Sequence, residues 1–138
     1  MKVYMEHVNL SVNNLPEAVR FFETAFPEFE VRGGGERENN TRWLHIGTQE
    51  TYIALTEAPN DNQHEKDYDK NGFNHVGFVV EDVAGIADRL LEAGFQRSYP
   101  LQEQRYRIRD YFMDAEGNEY EFVQYLSDKT EERNSYSD

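Results

Sequence analysis

Two histidines open two stretches of the same kind. His7 begins HVNLSV and His75 begins HVGFVV, and each ring starts the polar side of an alternating strand pattern. Near the C-terminal end, NEYEFVQY alternates as well. Tyr120, Phe122 and Gln124 fall on one side, and Glu119, Glu121 and Val123 on the other. Two neutral imidazoles and a carboxylate that met in one hollow would form a three-ligand metal site. Such a donor set suits Fe, Mn, Zn or Ni as the divalent ion and leaves coordination positions open for a substrate. Spacing alone does not bring the three together. A lone histidine in a strand is more often an ordinary residue with its hydrogen bond satisfied, but two at identical repeat positions shift that balance.

The repeat is what must position them. EHVNLSVNNLPEAVRFFETAF (6–26) matches NHVGFVVEDVAGIADRLLEAGF (74–95), His7 with His75 and Val12 with Val80, at a constant offset of 68. Each strand is followed by a capping signal, Asn13-Asn14 or Asp82. A helix is then expected, with Leu15, Ala18, Val19 and Phe22 on its inner face in the first copy. Val83, Ile86, Ala87, Leu90 and Leu91 play that part in the second. Pro27 stops the first helix and Gly94 suits the end of the second. Strand-like stretches follow at 29–33, 41–47 and 50–57, and again at 95–99, 105–113 and 118–125. Gly33-Gly34-Gly35 reads as a hairpin turn. The organisation expected is a βαβββ module over 1–58, a polar connector over 59–72 that contains His64, a second βαβββ module over 73–126, and a polar mobile tail over 127–138.

Composition narrows the function classes. Fourteen basic against 27 acidic residues give a net charge of −13, which argues against nucleic acid and anionic membrane as partners. With no cysteine, a disulfide framework, a thiolate nucleophile and a thiolate zinc site are excluded. No apolar stretch approaches the ~20 residues of a membrane span, and MKVYMEHVNL carries no apolar leader core. A cytoplasmic protein is expected.

Three motifs in order, HVNLSVNNLPEAVRFF, FNHVGFVVEDV and YFMDAEGNEYEFV, resemble the vicinal-oxygen-chelate superfamily, the glyoxalase, bleomycin-resistance and extradiol-dioxygenase fold, over residues 3–126. In the last motif Asp114, Gly117 and Glu121 match a D-P-x-G-x-x-x-E pattern, with Ala115 in place of the proline. The resemblance implies an α+β fold in which tandem βαβββ modules form an open, cup-shaped, mostly antiparallel sheet with helices outside. It implies one divalent metal ion held by His7, His75 and Glu121, Glu121 being also the catalytic carboxylate. It further implies a small-molecule substrate with vicinal oxygens and a homodimer. The glyoxalase I branch uses a fourth ligand, and that position falls on Ala54, whose methyl group binds no metal. Lyase or isomerase, transferase and dioxygenase chemistry stay open. So does a non-catalytic small-molecule binder of the bleomycin-resistance type.

Residues sharing the cavity-side parity are Asn9, Ser11, Tyr52, Thr56 and Glu119, of which Asn9, Tyr52, Thr56 and Glu119 are expected to contact substrate. Arg105, Arg107 and Arg109 alternate on one strand, so one face could grip an anion. Arg107 is the one taken to reach substrate.

Overall fold

A computed structural model describes residues 3–60 and 68–137 of the 138. His64 lies outside the described residues. The chain divides into two compact units, Met1–Gln63 and His64–Asp138.

In the first unit, β1 (His7–Val12) alternates as its sequence does, with Val8, Leu10 and Val12 turned inward. Asn14 ends the strand and caps α1 (Leu15–Ala25), accepting a hydrogen bond from the Glu17 amide at 3.1 Å. Pro16 sits in the first turn, where no amide hydrogen is needed. The buried side of α1 carries Leu15, Ala18, Phe21, Phe22 and Ala25. Phe21 was missing from the expected inner face, because the apolar stripe is wider than one i, i+4 row. β2 (Glu30–Glu36), β3 (Arg42–Gly47) and β4 (Tyr52–Glu57) complete a four-stranded sheet of order β1-β4-β3-β2. β1 runs parallel to β4, and the other pairings are antiparallel.

The second unit repeats this. β5 (His75–Val79) leads to α2 (Val83–Glu92), capped by Asp82 through the Gly85 amide at 3.0 Å. β6 (Gln96–Glu103), β7 (Arg107–Met113) and β8 (Glu119–Tyr125) form a sheet of order β5-β8-β7-β6, with β5 parallel to β8. Gly94, at φ +93°, makes the left-handed turn that releases the chain from α2. Leu91 is 44% exposed, at the edge of the apolar face rather than under it. After β8, the polar tail carries one turn of helix, α3 (Thr130–Arg133). Each sheet thus has one face under a helix and one face turned away from it. The helix side holds Phe22, Ile46 and Leu55 in one unit and Leu90, Phe112, Tyr120 and Phe122 in the other, all buried.

Two expectations need correction. The three glycines are not a turn: they lie inside β2, opposite His45, Leu44 and Trp43 of β3. A side chain at Gly34 would meet the Trp43 carbonyl at 2.6 Å, so close approach of the two strands demands glycine there. The reversal comes later, where Asn40 takes φ +64°. Arg105 is not on a strand either. It sits in the bend between β6 and β7, so only Arg107 and Arg109 share a face.

The turn from β7 to β8 is built around Asp114, which is 8% exposed. Its carboxylate accepts from the Glu116 and Asn118 amides, the Asn118 side chain and the Tyr120 hydroxyl, at 2.9 to 3.2 Å. Burial raises its pKa against the pull of those bonds. Asp114→Ala leaves four donors short of an acceptor and is expected to cost about 2–3 kcal/mol. At roughly 4 °C per kcal/mol for a chain of this size, the thermal midpoint should fall about 10 °C by circular dichroism.

Candidate functional site

The register of each sheet shows what faces each histidine. His7 lies beside Tyr52 and Asn9 beside Ala54, while His75 lies beside Glu119 and Gly77 beside Glu121. Ala54 therefore occupies in the first unit the place that Glu121 holds in the second. The second unit has a carboxylate at that position and the first has a methyl group.

On the face of the second sheet turned away from α2, Nε2 of His75 is 3.1 Å from Oε2 of Glu121. Two donor atoms bound at right angles to one ion, each at about 2.1 Å, stand about 3.0 Å apart. The pair thus has the separation of adjacent ligands on a metal, and its donor chemistry, imidazole and carboxylate, fits a divalent ion. The other oxygen of Glu121 is held elsewhere. Oε1 accepts from the Tyr111 hydroxyl at 3.0 Å and lies 3.8 Å from Nη1 of Arg109. Burial first, and the Glu121 carboxylate next, push the Tyr111 phenol up to about 12, so it stays a donor at neutral pH. The Arg109 side chain also reaches Oε1 of Gln102 at 2.6 Å, and its buried Nε has no acceptor among the described residues. Arg107 stands two residues along the same strand. It bonds Gln104 at 3.0 Å and the Arg133 carbonyl at 3.4 Å, so Arg109 is the arginine beside Glu121.

Glu119 shares the face of Glu121 but is only 2% exposed. Its carboxylate receives the hydroxyls of Tyr68 and Ser98 and lies 3.6 Å from Nδ1 of His75. Burial, then the hydrogen bond to Glu119, take the Tyr68 phenol to about 12. Asn74 places Oδ1 2.8 Å from the same Nδ1, while its buried Nδ2 finds no partner among the described residues.

The first unit carries a column of rings on its corresponding face. His7 stacks on Tyr52 at 4.8 Å, Tyr52 on His45 at 4.6 Å, and Trp43 follows at 5.1 Å. Arg32 lies over the Tyr52 ring at 4.1 Å. The Tyr52 hydroxyl donates to Oε1 of Glu6 at 3.2 Å, and that oxygen is 2.8 Å from Nδ1 of His7. These two hydrogen bonds, His7 first, hold the Glu6 carboxyl below its usual range. Burial, then the Glu6 carboxylate, raise the Tyr52 phenol. Asn9 and Thr56 are bonded to each other at 3.3 Å and line a cleft of about 430 Å³ with Arg37, Trp43, His45 and Ala54. Among the described residues, no three His, Cys, Asp or Glu side chains are grouped so as to hold a metal ion.

Sequence reasoning named both histidines, Glu121 and the Ala54 substitution. It missed Tyr68, Ser98, Asn74, Tyr111, Gln102 and Arg109 as their neighbours. Parity would have found Tyr111, since 109, 111 and 113 alternate together. Nothing in the local pattern announces Tyr68.

Two mixed four-stranded sheets, each with one helix between its first two strands, and a histidine opening each, define a glyoxalase-type fold. The chain belongs to the Glyoxalase/Bleomycin resistance protein/Dioxygenase superfamily, whose family profile matches residues 4–122. No curated protein matches by sequence. The structure is similar to the glyoxylase/bleomycin resistance protein/dioxygenase domain from Frankia sp. EAN1pec, at 22% identity and a TM-score of 0.75 over 91% of this chain and 99% of that one. It is similar to a glyoxalase family protein from Bacillus cereus, at 20% identity and a TM-score of 0.77 over 92% and 97%. It is also similar to the fosfomycin resistance protein FosX from Listeria monocytogenes, at 19% identity and a TM-score of 0.73 over 96% and 99%. A single-residue mutant of that FosX has been solved with Mn(II) and 1S,2S-dihydroxypropylphosphonic acid. At these identities the likeness is one of fold. Among the described residues, no helix is long and apolar enough to cross a membrane.

Proposed function

We propose that the protein is a metal-dependent enzyme in which His7, His75 and Glu121 hold one divalent cation, Fe, Mn, Zn or Ni. Its substrate is a small molecule that presents adjacent oxygens. The observation that carries this reading is the 3.1 Å approach of His75 Nε2 and Glu121 Oε2 on the open face of their sheet. When bound, the ion supplies Lewis-acid polarisation of the substrate oxygens. The chain supplies the rest. Tyr111 holds one oxygen of Glu121 and leaves the other to face His75. Arg109 offers its guanidinium to an anionic part of the substrate, a role first expected of Arg107. Asn9 and Thr56 line the cleft of the first unit and fit contacts to substrate hydroxyls or carbonyls. Glu119 and Tyr52 act on the histidines. With Ala54 in place of a second carboxylate, the two-carboxylate proton transfer of the glyoxalase I branch is not assigned. A cytoplasmic homodimer is the setting proposed for this chemistry, in keeping with the family resemblance.

Elemental analysis of untreated protein, followed by titration of chelated protein with each of the four metals, tests this. One equivalent of tightly held metal per chain is expected. Protein that neither carries nor takes up metal would overturn the reading.

One observation favours a second reading, a binding protein without catalysis. The ring column Trp43–His45–Tyr52–His7 beside a 430 Å³ cleft suits an aromatic ligand, and the acidic surface suits a cationic one. A thermal shift with such ligands that is indifferent to chelator would support it over the enzyme.

A further inference from the structure

We infer that the residue immediately before each histidine, Glu6 for His7 and Asn74 for His75, is its positioning residue, holding the hydrogen on Nδ1 and presenting Nε2 as the coordinating nitrogen. The inference rests on the metal reading above and names what prepares its two imidazoles.

The two contacts repeat each other. Oε1 of Glu6 is 2.8 Å from Nδ1 of His7, and Oδ1 of Asn74 is 2.8 Å from Nδ1 of His75. Glu6 and Asn74 differ in type but share the repeat offset of 68 and an oxygen at the same reach. Adjacent residues within a strand point to opposite faces, so a regular strand would forbid this contact. It forms because both strands begin at the histidine, leaving the preceding residue outside the alternation.

The polarity is set by acceptors. A Glu6 carboxylate can only accept, and its Oε1 lies 2.8 Å from Nδ1, so Nδ1 of His7 carries the hydrogen. At His75 the Glu119 carboxylate stands 3.6 Å from the same nitrogen as Asn74. Two oxygens therefore face Nδ1, the nearer at 2.8 Å, against one Glu121 oxygen 3.1 Å from Nε2, so the hydrogen goes to Nδ1 and Nε2 is left to face Glu121 as a ligand would. In each neutral ring Nε2 then keeps its lone pair. The residue across the sheet assists in both units: Tyr52 stacks on His7 and bonds Glu6, and Glu119 backs His75. An outer hydrogen bond of this kind fixes the tautomer and orientation of a metal-ligating histidine.

The test uses full-length protein with 15N-labelled histidine, metal-free, at a pH where the rings are neutral. Long-range 1H–15N spectra should show His7 and His75 as Nδ1–H tautomers. Glu6→Ala should shift only His7 toward Nε2–H, and Asn74→Ala only His75. Each should weaken Mn(II) or Zn(II) binding by about 10- to 100-fold, Glu6→Ala at the low end because that side chain is 56% exposed. Glu6→Gln keeps an oxygen and should restore most of the loss. Exposure also makes Glu6→Ala safe for folding, so one arm reads out whatever Asn74→Ala does. Unchanged tautomers and unchanged metal affinity in folded variants would overturn the inference, as would a loss of stability alone. A wild-type protein that binds no metal would sink the metal reading, while the tautomers would still decide whether Glu6 and Asn74 orient the rings.

Discussion

Replacing His75 or Glu121 by alanine is expected to remove the bound metal, weakening its affinity by more than about 100-fold, beyond what loss of an outer hydrogen-bond partner does. The reason is that these two side chains already stand as neighbouring ligands would, 3.1 Å apart on adjacent parallel strands. Neither substitution should unfold the chain. His75 is partly exposed at the start of β5, and Glu121 lies on the face turned away from the helix. Glu121→Ala does strip the Tyr111 hydroxyl of its acceptor, costing about 1 kcal/mol. Metal binding gives the sharper readout. At a free metal concentration 100 times Kd, native protein gains about 2.7 kcal/mol of stability, or roughly 10 °C in thermal midpoint. Both variants should show no such gain, and calorimetric titration should show no binding isotherm. A metal equivalent retained in either variant would place the ion elsewhere and remove the assignment. Tyr111→Phe offers a graded comparison: Glu121 keeps its carboxylate but loses one tether, so affinity should fall by about 10-fold rather than vanish.

The parts of this arrangement that were legible are those written in period and repeat. A constant offset placed His7 and His75 at equivalent points, and period-two alternation put Glu121 on the same side of its strand as Glu119. The strand register then set Ala54 against Asn9 as Glu121 is set against Gly77. What stayed hidden depends on contacts between strands. Arg107 and Arg109 have the same parity, so parity could not choose between them. Position along the strand does, because Tyr111 pairs with Glu121 and Arg109 is the next residue on that face. Gly33-Gly34-Gly35 looked like a turn because no local rule reveals that Trp43 closes over a strand with no side chains. Glu119 looked like a pocket residue because its alternation is that of Glu121. The hydroxyls its carboxylate receives come from Tyr68 and Ser98, 51 and 21 residues away.

Asp110 is another buried carboxylate, and it carries the other large prediction. Its position in β7 shares parity with Phe112, toward α2, and it is 1% exposed. A carboxylate there is costly unless paired. Arg97 pairs with it through two nitrogens, Nε at 2.9 and 3.1 Å and Nη2 at 2.9 Å, and lies over the Phe112 ring at 5.4 Å. Asp110, by its hydrogen bond first, holds the guanidinium above its usual range. Arg97→Met keeps most of the side-chain packing but leaves the carboxylate buried beside the Tyr111 amide, 2.9 Å away, with no other donor among the described residues. Removing one partner of a buried pair costs about 3–5 kcal/mol. Arg97 keeps 35% of its side chain exposed, so the low end, about 3 kcal/mol, is expected. Pairing Arg97→Met with Asp110→Leu removes both charges and should recover most of that loss, since an apolar pair of similar size often replaces a buried ion pair at little cost. Urea unfolding should show the midpoint fall in the single variant and return in the double, with the slope unchanged. A single-variant loss under about 1 kcal/mol would mean that the pair behaves as a solvated surface bridge and that β6 is held to β7 by its backbone alone.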